Sequence, residues 1–191
     1  RSATVESIND SLLLEIDRKA VDELCKVDPA FTEPLLQFYK ERVVELMMAK
    51  SPVFSLLEPH DRRALLERSQ MAEYRDGQIV VEEGTTNDAL YFIRRGEVEV
   101  FRTDQKGTSI FINKLGQGQF FGEIAAFTGK PRTVSVRAMG EVSLFRIDRG
   151  ELLAIVEREP KLKGLFDATI ASRTAETKTR VREHQRLFFG I

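Results

Sequence analysis

The sequence contains no tryptophan and only one cysteine, and these shortages limit the composition of the core and the possible disulfides. Phenylalanine, with 13 copies, must therefore supply most of the aromatic core. The lone Cys25 excludes an internal disulfide and is compatible with a reducing compartment, so we expect a cytoplasmic protein. No histidine or acidic cluster surrounds Cys25 in the sequence, so it is expected to be an ordinary buried or half-buried thiol.

Long apolar runs and an excess of one charge are also missing. No run of about 18 apolar residues and no signal-peptide pattern occurs, so we expect neither a membrane segment nor secretion. The formal net charge of -1 provides no overall field for DNA or an anionic membrane. The 191 residues suit one domain, or one domain with a small helical companion, and the start at Arg1 without Met suggests a fragment or a processed chain.

Groups for bond-breaking chemistry are scarce. His60 and His184 are isolated, Cys25 is remote from both, and no acids cluster outside residues 121–138. No nucleophile, general base or metal site is evident in this pattern. We therefore predict that the chain is not an enzyme and holds no metal.

The hydrophobic period changes twice along the chain. Residues 1–70 show the three- and four-residue spacing of short amphipathic helices, interrupted by prolines. From about residue 71 the period is two, and after Ile147 the helical period returns. The apolar face predicted for the N-terminal helices includes Leu35, Leu36, Tyr39, Val43, Leu46 and Met47.

Six segments of alternating polarity predict β-strands. Glycine turn signals separate them, among them Arg95-Gly96 and Gly140. Short strands with a glycine turn every ten residues or so indicate an antiparallel sandwich or barrel. The predicted class is α+β, an antiparallel β-barrel or jelly roll flanked by N- and C-terminal helices. The predicted strands are residues 78–83, 89–94, 97–102, 109–113, 133–138 and 141–147.

The C-terminal part is predicted to form two helices. Asp148 is a plausible N-cap of the first, with its side-chain oxygen accepting from free amides. The second begins near Pro160, and its polar continuation beyond Ser172 is predicted to be a solvated face or part of a dimer contact. The apolar face of this second helix consists of Leu162, Leu165, Phe166 and Ile170.

The segment 121–138 carries the residues with a chemical role. Gly122 has no side chain and lets a ligand approach the backbone closely. The amides of Ile124 and Ala125, at the start of a short helix, are unpaired donors that favour a phosphate. Arg132 offers two parallel donors to phosphate oxygens. This set fits an anionic ligand.

Two further side chains extend the set. Glu123 can accept from a ribose 2′-hydroxyl and partly balance the charge of Arg132, while Thr133 adds a hydroxyl beside the phosphate or the base. The alternative is a tight loop in which Glu123 and Arg132 form an ordinary surface ion pair worth about 0–1 kcal/mol.

The order Phe-Gly-Glu-Ile-Ala, Pro-Arg-Thr and Val-Arg-Ala resembles the phosphate-binding cassette of the cyclic nucleotide-binding domain family. The resemblance extends over roughly residues 53–157, with Gly77, Gly84, Gly96 and Gly118 where the family's barrel turns fall. It implies cAMP or cGMP as the ligand.

The resemblance also implies a role for each cassette residue. Glu123 would hold the ribose 2′-hydroxyl. Thr133 occupies a position that favours guanine in some relatives and is compatible with adenine in others, so the purine stays open. The cyclic phosphate is assigned to Gly122, Ile124, Ala125 and Arg132.

Three segments are expected on this basis. Residues 1–50 are an N-terminal helical segment, and residues 51–158 are the cyclic nucleotide-binding β-barrel with its short helices. Residues 159–191 are a C-terminal helix that serves as a lid over the ligand, a homodimer contact, or core packing against the barrel.

The predicted function is a regulatory domain of signal transduction that binds a cyclic nucleotide and moves its flanking helices. Its partner would be an effector protein or domain that the sequence does not name. Two alternatives stay open: a degenerate barrel acting as a protein-interaction module, and a fragment of a larger regulator such as a transcription factor. Only 25 residues follow Phe166, too few for a helix-turn-helix, so direct DNA binding is not expected.

Overall fold

The computed structural model describes residues 44–189 continuously, together with positions 6, 10, 12, 20, 23, 24, 27 and 28. The chain divides into two compact units, Arg1–Lys40 and Glu41–Ile191. The expected segments 1–50, 51–158 and 159–191 stay a prediction. Outside the described residues lie Cys25 and four positions of the predicted N-terminal apolar face, Leu35, Leu36, Tyr39 and Val43.

The second unit is built on an antiparallel sheet. Its strands are β1 Gln70–Tyr74, β2 Ile79–Val81, β3 Leu90–Thr103, β4 Ser109–Gly116, β5 Phe120–Phe121 and β6 Ser135–Ile147. Its helices are α1 Pro59–Glu67, α2 Glu123–Thr128, α3 Arg149–Arg158 and α4 Pro160–Phe189; residues 44–50 are also helical, and Phe54–Leu56 forms a 3-10 turn.

The strand path runs β1-β6-β3-β4, with β2 paired to β6 and β5 paired to β3. Through the part of the chain that the structure describes, this path does not close on itself. The architecture is therefore jelly-roll-like rather than a closed barrel, and the predicted α+β jelly roll flanked by helices is confirmed.

Two glycines that were predicted to be turns lie inside long strands. Gly96 has a φ of +87° within β3, and Gly140 has a φ of +76° within β6. The β3–β6 register shifts between Ile93 and Arg95 and again between Arg95 and Glu97. The predicted strand breaks were wrong, because a glycine with positive φ forms a bulge that bends a strand without ending it.

The helix at residues 44–50 buries a different face from the one predicted. Val44 and Met48, one turn apart, are buried in the core, whereas Leu46 is 55% exposed and Met47 is only partly buried. A single turn docks against the core, so one i, i+4 pair is enough to cover the contact. The prediction for Leu46 was wrong.

The aromatic core is made of phenylalanine, as the absence of tryptophan predicts. The ring of Phe54 meets Phe92, Phe120 and Phe166 edge-on, with centroid distances of 5.7, 5.6 and 6.0 Å. Phe166 comes from α4, so the first turns of this helix are part of the same core as the sheet. Leu162 is also fully buried there, which favours core packing over a lid role for these two residues.

The helix α3 starts at the predicted position, but the predicted side-chain cap is not formed. Asp148 occupies the N-cap position, yet its side chain makes no capping hydrogen bond. Its carboxylate instead pairs with Arg146 at 2.8 Å. The expected side-chain cap was wrong, because the neighbouring cation on β6 competes for the carboxylate oxygens.

Candidate functional site

The site begins where β5 runs into α2. Gly122 is the N-cap of α2 and has a φ of +91°, a conformation that favours glycine. A Cβ there would lie 2.8 Å from the Ala89 carbonyl oxygen and would collide with Nη1 of Arg132. Only glycine therefore lets this backbone approach β3 and Arg132 so closely.

A pocket with about 600 Å³ of empty space, part of it open to solvent, lies against this turn. Apolar residues of β2, β3, β4 and β6 form the inner wall. The structure brings all six predicted site residues to its lining: Gly122, Glu123, Ile124, Ala125, Arg132 and Thr133.

Arg132 is a buried cation, with 4% of its surface exposed. Its Nη1 donates to the Gly122 carbonyl at 3.0 Å, and its Nη2 donates to the Ala89 carbonyl at 2.6 Å and to Asn87 Oδ1 at 3.0 Å. The guanidinium lies 5.6 Å from the ring centroid of Tyr91. These contacts hold the arginine in place through neutral groups alone.

The charge of Arg132 is only partly compensated in this setting. Desolvation lowers the pKa of the Arg132 guanidinium, while the nearby Tyr91 and Glu123 act in the opposite direction. Its Nε is buried without a hydrogen-bond acceptor. A buried donor left unpaired costs about 1–3 kcal/mol, more on a charged group, so an anion placed here would be stabilised.

Glu123 is 2% exposed, and its Oε2 accepts a hydrogen bond from Nη1 of Arg173 at 2.8 Å. The structure therefore does not show the surface ion pair between Glu123 and Arg132 that was the alternative. Both residues are buried, and the direct partner of Glu123 in the described part of the chain comes from α4. The carboxylate acts on Arg132 only as a neighbouring charge.

Residues of α4 line the pocket opposite the cassette, and sequence reasoning missed them. Arg173, Glu176 and Thr177 all face the pocket. Both carboxylate oxygens of Glu176 lie 3.2 Å from Nδ2 of Asn113 on β4. This face of α4 was predicted to be solvated or in a dimer contact. The i, i+4, i+8 row of Arg173, Thr177 and Val181 was a signal for a docked face, since Val181 packs against the sheet core.

The described residues contain no other obvious kind of site. None of the described helices is both long enough and apolar enough to span a bilayer. Within the described ranges, no three side chains of histidine, cysteine, aspartate or glutamate come together as a metal site. The pocket lined by the buried Arg132 and the buried Glu123 is therefore the candidate site of this jelly roll.

Comparison with known proteins identifies the class of this jelly roll. Residues 71–159 match the model of the cyclic nucleotide-binding domain. The chain is 33% identical over 144 residues to the cAMP-dependent protein kinase type II regulatory subunit of Drosophila melanogaster, covering 74% of this chain and 35% of that protein. Residues 71–159 therefore belong to the cyclic nucleotide-binding domain family, as the cassette predicted. The chain spans about a third of the length of the first curated relatives it matches.

Solved structures show the same fold. The catabolite activator protein of Thermus thermophilus superposes with a TM-score of 0.61 at 28% identity, covering 71% of this chain and 63% of that one. The regulatory domain of Toxoplasma gondii PKA, crystallised with cAMP, superposes with a TM-score of 0.60 at 18% identity, covering 73% and 51%. By their names, these relatives are regulatory proteins.

Proposed function

We propose that this chain binds cAMP in the pocket beside α2 and responds by changing the position of α4. The observation that carries the proposal is Arg132, a buried cation that lines the pocket and whose Nε has no hydrogen-bond acceptor. A cyclic phosphate supplies the missing acceptor and the compensating charge. Relatives named as cAMP-dependent support cAMP as the first ligand to test, with cGMP as its competitor.

Each cassette residue then has a role in binding. Arg132 supplies hydrogen-bond donors to the phosphate, and the amides of Ile124 and Ala125, in the first turn of α2, add two more. Glu123 accepts from the ribose 2′-hydroxyl with its second carboxylate oxygen, while its first stays on Arg173. Thr133 lines the pocket and offers its hydroxyl.

The proposed response to the ligand is a change in the position of α4. Phe127 of α2 packs on Phe166 of α4 with ring centroids 4.5 Å apart, so a ligand that shifts α2 changes the packing of α4. The ribose would also share the Glu123 carboxylate with Arg173 of α4, which joins the ligand to this helix. A ligand that binds better to one arrangement of α4 shifts the population toward it. The readout would be an effector protein or domain beyond this chain, with no catalysis by the chain itself.

Calorimetric titration with cAMP and cGMP tests the binding step. We expect saturable heat with cAMP, lost in Arg132→Ala, and protection of the cassette from hydrogen exchange. No heat with either nucleotide at high micromolar protein rejects the proposal and favours an interaction module. Hydrogen exchange along α4 with and without cAMP tests the response, and an unchanged α4 rejects that part alone.

Two partner predictions accompany the proposal. No direct DNA contact is expected, and a gel shift with and without cAMP tests this. A homodimer through the C-terminal helix is tested by a native mass measurement at several protein concentrations.

A further inference from the structure

Asn87, in the loop between β2 and β3, is held at three points. Its Oδ1 accepts from Arg132 Nη2 and from the Ala89 amide, both at 3.0 Å. Its Nδ2 donates to the Tyr91 hydroxyl at 3.0 Å. These bonds fix which end of the amide faces the arginine, because the donor end is already used by the tyrosine.

The three hydrogen-bond acceptors of Arg132 differ in whether they depend on the type of residue at their position. Gly122 and Ala89 use backbone carbonyls, which any residue at those positions would supply. Asn87 is the side-chain acceptor among the hydrogen bonds of Arg132. A guanidinium carries five N–H donors in one plane, and Asn87 adds a second acceptor to Nη2, so that both protons of this nitrogen are engaged and the group is further restrained.

We propose that Asn87 is a positioning residue for ligand binding: it holds the Arg132 guanidinium in the orientation in which this side chain lines the pocket and binds the phosphate. This inference rests on the proposed function, because it names what orients the arginine of the same site. Without Asn87, the guanidinium loses one of its three acceptors, and its orientation is less restrained. The phosphate must then bind an arginine that has first to be ordered, which weakens binding.

A purely structural role for Asn87 has to be separated from this one. Asn87 Oδ1 also accepts from the Ala89 amide two residues on, a local turn that asparagine commonly forms. Asn87→Ser keeps an oxygen that can accept from this amide, but its side chain is too short to reach Arg132 as well. Asn87→Asp keeps both acceptors and adds a negative charge beside the guanidinium.

Calorimetry with cAMP and thermal unfolding are measured on the wild type and both variants. Asn87→Ser is expected to weaken cAMP binding about tenfold, the size of one hydrogen bond to a charged group, and to lower the melting temperature because its bonds to Tyr91 and Arg132 are lost. Asn87→Asp keeps the acceptor for Arg132 and is expected to bind cAMP more tightly than Asn87→Ser.

A spectroscopic readout needs no ligand. The Nε–H resonance of Arg132, assigned by its loss in Arg132→Lys, is expected to be sharp in the wild type and shifted or broadened in Asn87→Ser. An unchanged resonance, or cAMP affinity within about twofold of the wild type in Asn87→Ser, overturns the positioning role. An Asn87→Asp variant that binds cAMP no more tightly than Asn87→Ser overturns it as well. Absent cAMP binding in the wild type rejects the proposed function instead, and these two failures are therefore distinct.

Discussion

Arg173 donates from Nη1 to the Glu123 carboxylate at 2.8 Å, across 50 residues of sequence. The same nitrogen donates to the Phe120 carbonyl at 2.8 Å, and the guanidinium lies 4.9 Å from the centroid of the Phe120 ring. The side chains of Glu123 and Arg173 are 3% and 23% exposed. One side chain of α4 thus joins this helix to the predicted ribose site and to the aromatic core.

Removal of this cation is expected to destabilise the protein. Arg173→Ala leaves the Glu123 carboxylate buried and unpaired, at a cost of about 1–3 kcal/mol, below the value for fully buried pairs because Arg173 is partly exposed. Arg180→Ala is the matched control, since Arg180 pairs with Glu183 at 3.5 Å on the exposed side of the same helix. Urea unfolding measures both free energies. Equal losses in the two variants would contradict a special role for Arg173.

Arg132→Ala is expected to weaken cAMP binding by about 2–5 kcal/mol, because it removes one member of a desolvated charge pair with the phosphate. Arg137→Ala serves as the control, since Arg137 pairs with Glu99 on the sheet at 2.7 Å. Calorimetry on both variants, with circular dichroism to check folding, gives the comparison. Unchanged affinity in a folded Arg132→Ala protein would mean that the phosphate binds elsewhere.

The cassette could be predicted from sequence because its chemistry depends on residue types at fixed spacing. Gly122, Glu123 and Arg132 lie within eleven consecutive positions and reach one pocket through a single turn, helix and loop. The strand breaks could not be predicted in the same way. A positive φ at Gly96 is compatible with a turn and with a bulge, and pairing with a distant strand decides between them.

The wall of the pocket that α4 forms could not be predicted from the sequence for a different reason. Arg173 and Glu176 are charged residues on a charged helix, and this local pattern predicts that they lie on a solvated face. Their partners, Glu123 and Asn113, are 50 and 63 residues away. The docked face is thus a tertiary property, set by where the buried Leu162 and Phe166 anchor the start of α4.

Phe166→Ala tests whether the start of α4 is core. Phe166 is fully buried against the rings of Phe54, Phe120 and Phe127, so its truncation is expected to cost about 3–5 kcal/mol of unfolding free energy. Leu187→Ala, on the same helix and 81% exposed, is expected to change the free energy by less than about 0.5 kcal/mol. Chemical unfolding monitored by circular dichroism compares them. A small loss in Phe166→Ala would argue that this part of α4 is a detachable lid.

Gly122→Ala is expected to disrupt the site. The added Cβ meets the Ala89 carbonyl oxygen and Arg132 Nη1, and the φ of +91° strains any L side chain. Gly164→Ala is the control, because a Cβ there meets nothing within 4 Å and alanine favours the helix by about 0.5–1 kcal/mol. The expected result is lost cAMP binding with a lower melting temperature in the first variant and a higher melting temperature in the second. Full cAMP affinity in Gly122→Ala would contradict the close approach of this backbone to Arg132.

The far end of α4 meets the β3–β4 hairpin through Asp104 and His184. Oδ1 of Asp104 accepts from the amides of Lys106 and Thr108, both at 2.8 Å. Its Oδ2 lies 3.2 Å from Nε2 of His184. The Thr108 amide first, and then His184 and Lys106, hold the pKa of the Asp104 carboxyl below its ordinary value, against the opposing effect of desolvation.

Acid is therefore expected to weaken this hairpin. A carboxyl whose pKa is lowered by folding stabilises the protein fully above its ordinary value of 3.8, and this contribution is lost as the pH falls through the lowered value. Asp104→Asn cannot titrate, so its melting temperature should fall less than that of the wild type between about pH 6 and about pH 3. Thermal unfolding over this range measures the difference. Parallel curves for the two proteins would show that the Asp104 carboxylate contributes nothing to the acid sensitivity of the fold.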